Sequence, residues 1–180
     1  MPENHLDLTI RHARLSDLEQ LCCVRNNPTL FEQYLQECDG ECAHFLVAEI
    51  DQRIVGFGLV YLDVTKTGRR KSHLPKLSDL YVGEPYRQRG IGSALIRARE
   101  SLARDYGHTE IFVSIDPTES PDMIRLIKKH GYHALQSEPY SVTSVFYDSN
   151  GKAFEKTYSR IDFRKALKFF EKRNPTATFA

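Results

Sequence analysis

The stretch from Leu80 to Gly92 constrains this chain more than any other. A strand-like segment, Lys76 to Val82, stops at Gly83-Glu84-Pro85, and Arg87-Gln88-Arg89-Gly90-Ile91-Gly92 leads straight into an amphipathic helix. Ile91, Ala94, Leu95, Ala98 and Leu102 repeat at helical spacing, and Gly107 ends the pattern. Gly90 and Gly92 carry no side chain, so consecutive backbone N–H groups can face an anion. The helix N-terminus adds unpaired donors and a positive dipole end. Arg87 and Arg89 offer charge-assisted hydrogen bonds on either side of the turn. Such a turn is a pyrophosphate cradle. It is not a Walker loop, because the Lys-Ser/Thr pair is missing, nor a dinucleotide fingerprint, which needs three spaced glycines and a later acidic residue.

The rest of the chain is consistent with one domain. It has 180 residues, 41% hydrophobic and 27% charged, and a chain of that size buries roughly 70% of its unfolded surface. No apolar run approaches the roughly 20 residues needed to cross a bilayer. The N-terminus lacks the basic start and apolar stretch of a signal peptide, and four cysteines without an export signal suit a reduced, cytoplasmic protein. Net charge is +1 but unevenly placed: residues 1–51 hold 3 Lys/Arg against 10 Asp/Glu, and residues 151–180 hold 8 against 3. A balance so near zero lacks the basic footprint of a nucleic-acid binder.

Alternation predicts strands over Leu8–His12, Phe45–Ile50, Ile54–Val64, Lys76–Val82, Ile111–Ile115, Ser141–Tyr147 and Lys152–Ile161. Asp51-Gln52 and Asp148 to Gly151 read as hairpin turns, and Thr65–Lys76 as a loop. Helices are expected after Ser16 or Asp17, over Thr29–Cys38, after Gly90, and from Ser120-Pro121 to a stop at Gly131. Phe163, Ala166, Leu167 and Phe170, spaced i, i+3, i+4 and i+7 after Asp162, predict a last helix docked on the domain. The expected class is α/β (α+β): a mixed central sheet of about seven strands with flanking helices, residues 1–161, plus an added C-terminal helix and tail, 162–180.

Arg87 to Gly92 fits the pattern Q/R-x-x-G-x-G/A, and the segment resembles motif A of the GNAT superfamily of N-acetyltransferases. Leu80-Tyr81-Val82, Pro85-Tyr86, the opening Ile10-Arg11-His12-Ala13 with Asp17, and Ser120 to Tyr132 extend the resemblance across roughly residues 8–161. The resemblance implies an acetyl-CoA-dependent enzyme in which an amine attacks the thioester directly. It places the pantetheine arm beside Leu80, Tyr81 and Val82, and the pyrophosphate on Gln88, Arg89, Gly90, Ile91, Gly92 and Ser93, with Arg87 alongside. It implies a wedge for the thioester, where the strand before Pro121 splays away. Ser120 takes the position where relatives carry an asparagine that binds the cofactor.

The departure lies in the acid. Many relatives protonate the leaving thiolate with a tyrosine at the position that is Ile127 here. Tyr132, Tyr140 and Tyr158 are the substitutes to weigh against plain packing roles. Asp79, on the same strand face as Tyr81, is the candidate base or water-positioner, and Glu84 and His73 are weaker ones. Cys38-x-x-x-Cys42 with His44 and Cys22-Cys23 fits no zinc module, so no metal is expected. Lys66, Arg69, Arg70 and Lys71 form a basic loop read as solvated. The acidic N-terminal third, with Glu32, Glu37, Asp39 and Glu41, favours a small cationic amine as acceptor. A protein N-terminus or lysine and a non-catalytic acyl-CoA sensor are the alternatives, and a homodimer is compatible with the added helix.

Overall fold

A computed structural model describes residues 7–38, 40–63, 74–147 and 152–168. The basic loop with His73, residue Asp39, the 148–151 turn and the end of the expected last helix, including Phe170, lie outside the described residues.

The elements in chain order are β1 (Leu8–His12), α1 (Leu18–Val24), α2 (Pro28–Glu37), β2 (Ala43–Ile50), β3 (Arg53–Tyr61), β4 (Lys76–Val82), α3 (Ile91–Asp105), β5 (Glu110–Ile115), α4 (Pro121–Lys129), β6 (His133–Ala134), β7 (Tyr140–Tyr147) and β8 (Ala153–Ala166). They form an eight-stranded mixed sheet ordered β1-β2-β3-β4-β5-β8-β6, with β7 paired to β8. Among the described residues only β4 and β5 run parallel, and they pair at Lys76↔Phe112 and Leu77↔Val113. Beyond that point the two strands part. One face of the sheet packs α1 and α2, with Phe31, over Phe45, Phe57 and Leu59, and the other packs α3 and α4, with Ile96 and Ile127, over Val60, Leu77 and Val113.

Local sequence explains most boundaries. Asp51 and Gln52 turn the β2–β3 hairpin with φ of 49° and 63°, the left-handed pair that a tight hairpin requires. Asn27 caps α2 by accepting from the Leu30 amide, and Pro28 opens it. Gly107 and Gly131 close α3 and α4 at φ of 85° and 83°. At the domain's start, Arg11 bridges Asp17 at 2.7 Å and Glu49 at 2.6 Å, tying β1 to β2 and to the turn before α1.

Two expectations change. The chain from Asp162 to Ala166 is not helical: it continues β8 without a break across the anticipated 161/162 boundary and pairs with β5 from Glu110↔Ala166 to Ile115↔Ile161. The far edge of β5 needs a partner for its backbone groups, and that pairing overrides the helical spacing. Phe163 and Leu167 are buried as the spacing suggested, but along an extended chain. Lys165, which breaks the apolar alternation, is satisfied by Glu100 at 2.8 Å. The buried face of α3 is also rotated. It carries Ile91, Leu95, Ile96, Arg99, Glu100 and Ala103, leaving Ala94 and Ala98 at its margin.

Candidate active site

The parting of β4 and β5 opens a cavity of about 370 Å³, lined among others by Ser78, Asp79, Arg99, Ser114, Ser120 and Arg160. A bulge in β4 shapes one wall. Phe57 faces Tyr81 and Leu59 faces Ser78, so Gly58 of β3 lies opposite the extra residue of β4, and Asp79 there adopts a φ of 37°. The bulge turns Asp79 toward α1 and α2. Arg25 donates to both of its carboxylate oxygens, at 2.9 and 2.5 Å, and the Tyr34 hydroxyl donates at 2.8 Å. The Arg25 guanidinium also stands over the rings of Phe57, Tyr81 and Phe31, at 4.8, 5.5 and 5.7 Å from their centroids. Burial works against its charge, but Asp79 more than offsets this and raises its pKa. Burial, followed by the Asp79 charge, raises that of Tyr34.

Next to this wall, Tyr81 stacks on Phe57, while Leu80 packs on the α3 side. The Gly83 amide donates to Val55 O on β3 at 2.9 Å. The Val82 carbonyl belongs to the same trans peptide and therefore points the opposite way, off the edge that β5 has left. Arg87 Nε donates to it at 2.9 Å, with its guanidinium over the Tyr81 ring, so Arg87 folds back on the strand. Arg89 stands over Tyr86.

The turn into α3 has the geometry its glycines imply. Gln88 and Gly90 take φ of 62° and 81°, a concave arrangement of backbone that favours anions. The first amide to bond back to the turn is that of Ala94, to Gly90 O at 3.0 Å, so the amides before it form the open end of the helix. Nothing lies within 4 Å of where a Cβ of Gly90 would stand. At Gly92 a Cβ would come 3.3 Å from Leu126, so Gly92 sets how closely α3 approaches α4. The Ser93 hydroxyl meets His130 Nε2 at 2.9 Å. Burial lowers the pKa of His130.

Ser120 stands at the N-cap of α4, makes no capping bond with its side chain and faces the cavity. The Ser114 hydroxyl is enclosed without a hydrogen-bond partner. The structure does not bring Tyr132 to the cavity. Tyr132 is 2% exposed in the α3–α4 core, with its ring against Lys165, and burial followed by Glu100 raises its pKa. Tyr140 donates to Asp162, and Tyr158 meets Ser144 and carries Arg160 over its ring. Ile127 is fully buried. Glu84, in the turn after β4, pairs loosely with Arg87 at 3.7 Å.

Four participants were not singled out from sequence: Arg25, Tyr34, Arg99 and Arg160. The signal for Arg99 was present, since Ile91, Leu95, Arg99 and Ala103 follow a strict four-residue step that places a cation on the buried stripe. Arg25 directly precedes Asn26-Asn27-Pro28, where a surface role is the ordinary expectation.

The comparisons with known proteins agree with this geometry. The Acetyltransferase (GNAT) family matches residues 12–132, most of the described fold. An N-alpha-acetyltransferase of Sulfurisphaera tokodaii is 32% identical over 142 residues, covering 71% of this chain and 81% of that protein. The ribosomal-protein-alanine N-acetyltransferase from Brucella melitensis superimposes with a TM-score of 0.65 at 21% identity, covering 88% of this chain and 99% of that one. The yncA protein from Salmonella typhimurium, solved with its cofactor acetyl-CoA, gives 0.66 at 15% identity, covering 94% and 99%. This chain belongs to the GNAT family. It is an N-acetyltransferase that uses acetyl-CoA as cosubstrate. Among the described residues no cluster of His, Cys, Asp or Glu could hold a metal ion, and no helix is long and apolar enough to cross a membrane.

Proposed function

We propose that the enzyme acetylates the α-amine of a peptide or protein N-terminus. The observation that carries this is the 32% identity with an N-alpha-acetyltransferase over 71% of the chain. The state of Asp79 supports it. A site built to hold a small polycation would offer bare carboxylates, whereas both oxygens of Asp79 are taken by Arg25 and Tyr34. That leaves a neutralised wall lined by aromatic rings.

Acetyl-CoA supplies the activated acyl group. Its diphosphate fits the open amides of Gln88 to Ser93, where Gly90 leaves space and Gly92 keeps the turn low against α4. Leu80, Tyr81 and Val82 present to its amides the strand edge that β5 has left, and Ser120 and Ser114 offer hydroxyls on the opposite wall. Arg87 would exchange the Val82 carbonyl for the cofactor's phosphates. Asp79 serves best as a positioner, holding Arg25, Tyr34 and water on the acceptor side. The amine then loses its proton to water.

A second reading, a small cationic acceptor, is favoured by the acidic residues of α2, Glu32 and Glu37. Release of free thiol from acetyl-CoA, followed across peptides with free N-termini, N-blocked lysine peptides, polyamines and aminoglycosides, separates the two. Turnover on free-N-terminus peptides at least about tenfold above the others in kcat/KM, roughly 1.4 kcal/mol, supports the first reading. Turnover confined to polyamines overturns it.

A further inference from the structure

Arg99 is the most deeply buried charge among the described residues and has hydrogen-bonding capacity left over. Its side chain is 0% exposed, Nε donates to Leu95 O at 3.0 Å, and Nη1 donates to Leu59 O at 2.9 Å and Ser78 O at 3.0 Å. Those two carbonyls belong to the residues that face each other beside the bulge, so the guanidinium replaces ladder bonds that the bulge removes. Its second terminal nitrogen, Nη2, is enclosed and makes no hydrogen bond. Gly58 leaves room for the guanidinium: a Cβ there would meet its carbon, Nη1 and Nε at 2.9, 3.0 and 3.2 Å. Arg99 also lines the cavity at the point where β4 and β5 part. Burial lowers its pKa to about 10, so it remains charged at neutral pH. The neighbouring carboxylates are engaged elsewhere, Glu100 with Lys165 and Asp79 with Arg25.

A buried cation without a matching anion is costly unless something compensates it. The acyl-transfer reaction generates an anion beside this wall. As the amine nitrogen bonds to the acyl carbon, the carbon–sulfur bond breaks and its electron pair goes to sulfur, while the proton shed by nitrogen goes to water. Among the described residues, those lining this cavity include no tyrosine, cysteine or histidine to give that sulfur a proton, and Ile127 behind them is apolar and 0% exposed. We propose that Arg99 is a positioning residue for acyl transfer that locks the β4 bulge and stabilises the departing thiolate by its fixed charge. The charge acts through the low-dielectric wall of the wedge and needs no contact with sulfur. The proposal rests on the acetyl-CoA reading of the cavity given above.

The test titrates the thiol of coenzyme A bound to the whole protein. Ultraviolet absorbance of the thiolate is followed as a difference against ligand-free protein, so that the four cysteines cancel. The expected result is a bound thiol that ionises about one pH unit below free coenzyme A, or tenfold more thiolate at a given pH. Arg99→Lys should keep most of that shift and Arg99→Met should lose it. In turnover, Arg99→Met should lower kcat by about tenfold with the KM for acetyl-CoA little changed, and Arg99→Lys should recover most of the loss. A wild-type thiol that ionises as it does free in solution overturns the proposal, and needs no variant to fold. A shift that persists in Arg99→Met overturns it too. No binding of coenzyme A by calorimetry overturns the cofactor reading itself, and the proposal falls with it.

Discussion

Gly58 of β3 and Arg99 of α3 are a matched pair: a Cβ on Gly58 would lie 2.9 Å from the guanidinium carbon of Arg99. The contact is with the middle of a fixed, triply bonded side chain, so the extra carbon has nowhere to go. Gly58→Ala should therefore destabilise the protein by about 1–3 kcal/mol, the usual cost of overpacking. In an Arg99→Met background the same substitution should cost clearly less, because the obstructing group is gone. Urea unfolding of the four proteins of this cycle measures the coupling directly.

Asp79 separates two roles by its pH profile. A general base is worth about 10²–10⁴ in rate and generates the acidic limb of kcat/KM. With both oxygens already held by Arg25 and Tyr34, Asp79→Asn should lower kcat/KM for the amine by about tenfold and leave the shape of the profile intact. The KM for acetyl-CoA should stay within about twofold. Disappearance of the acidic limb would make Asp79 the base after all.

Gly92 should control cofactor affinity by shape. Its missing Cβ faces Leu126 at 3.3 Å and Leu80 at 3.9 Å, on the side where α3 nears α4. Gly92→Val pushes the turn outward and should weaken acetyl-CoA binding by about tenfold or more, roughly 1.4 kcal/mol in affinity. Calorimetric titration checks this, with an unchanged circular dichroism spectrum as the control for folding. An unaltered Kd would remove the turn from the binding site.

The Arg11–Asp17 pair should appear in acid unfolding. The hydrogen bond from Arg11, followed by the backbone amide of Arg14, holds the Asp17 carboxyl below its ordinary value of 3.8. The unfolded chain therefore takes up this proton first as the pH falls. The stability from the pair is complete above that ordinary value and is lost as the pH drops through the folded-state value. Asp17→Asn should cost about 1–3 kcal/mol at neutral pH and flatten the acid limb of a plot of urea midpoint against pH. Parallel curves for the two proteins would count against the pair.

Breaking the Glu100–Lys165 pair tests the corrected C-terminal strand. Glu100 is only 4% exposed and Lys165 reaches it from β8. Lys165→Met should leave a buried carboxylate unpaired and cost about 3–5 kcal/mol, whereas Glu100→Gln with Lys165→Met together should recover part of it. Thermal unfolding of the single and double variants reports the difference.

Much of this architecture was legible in the residues. The turn at Gly90 and Gly92, the left-handed stops at Gly107 and Gly131, the Asp51-Gln52 hairpin and the position of Ser120 all follow from local chemistry. What the residues hid was set by distant partners. Phe163 and Leu167 were assigned to a helix because, with Ala166 and Phe170, they follow helical spacing, and the anion that lets Lys165 share their strand face, Glu100, lies on another element. Arg99 was masked for a related reason: its acceptors are carbonyls exposed by a bulge in β4, and a bulge depends on how β3 and β4 register. Asp79 was placed on the correct face, but Arg25 and Tyr34 come from α1–α2 territory that no periodicity links to it.

The strand β8 passes from one partner to another, pairing with β5 at its C-terminal half and with β7 at its N-terminal half. Arg160, which lines the wedge, sits next to that handover. The β7–β8 ribbon and the wall of the cavity thus share one continuous strand, with no loop between them. Arg160 is therefore held by the same unbroken run of backbone that carries the β7–β8 ribbon, and its place in the cavity wall depends on how both partners grip that run.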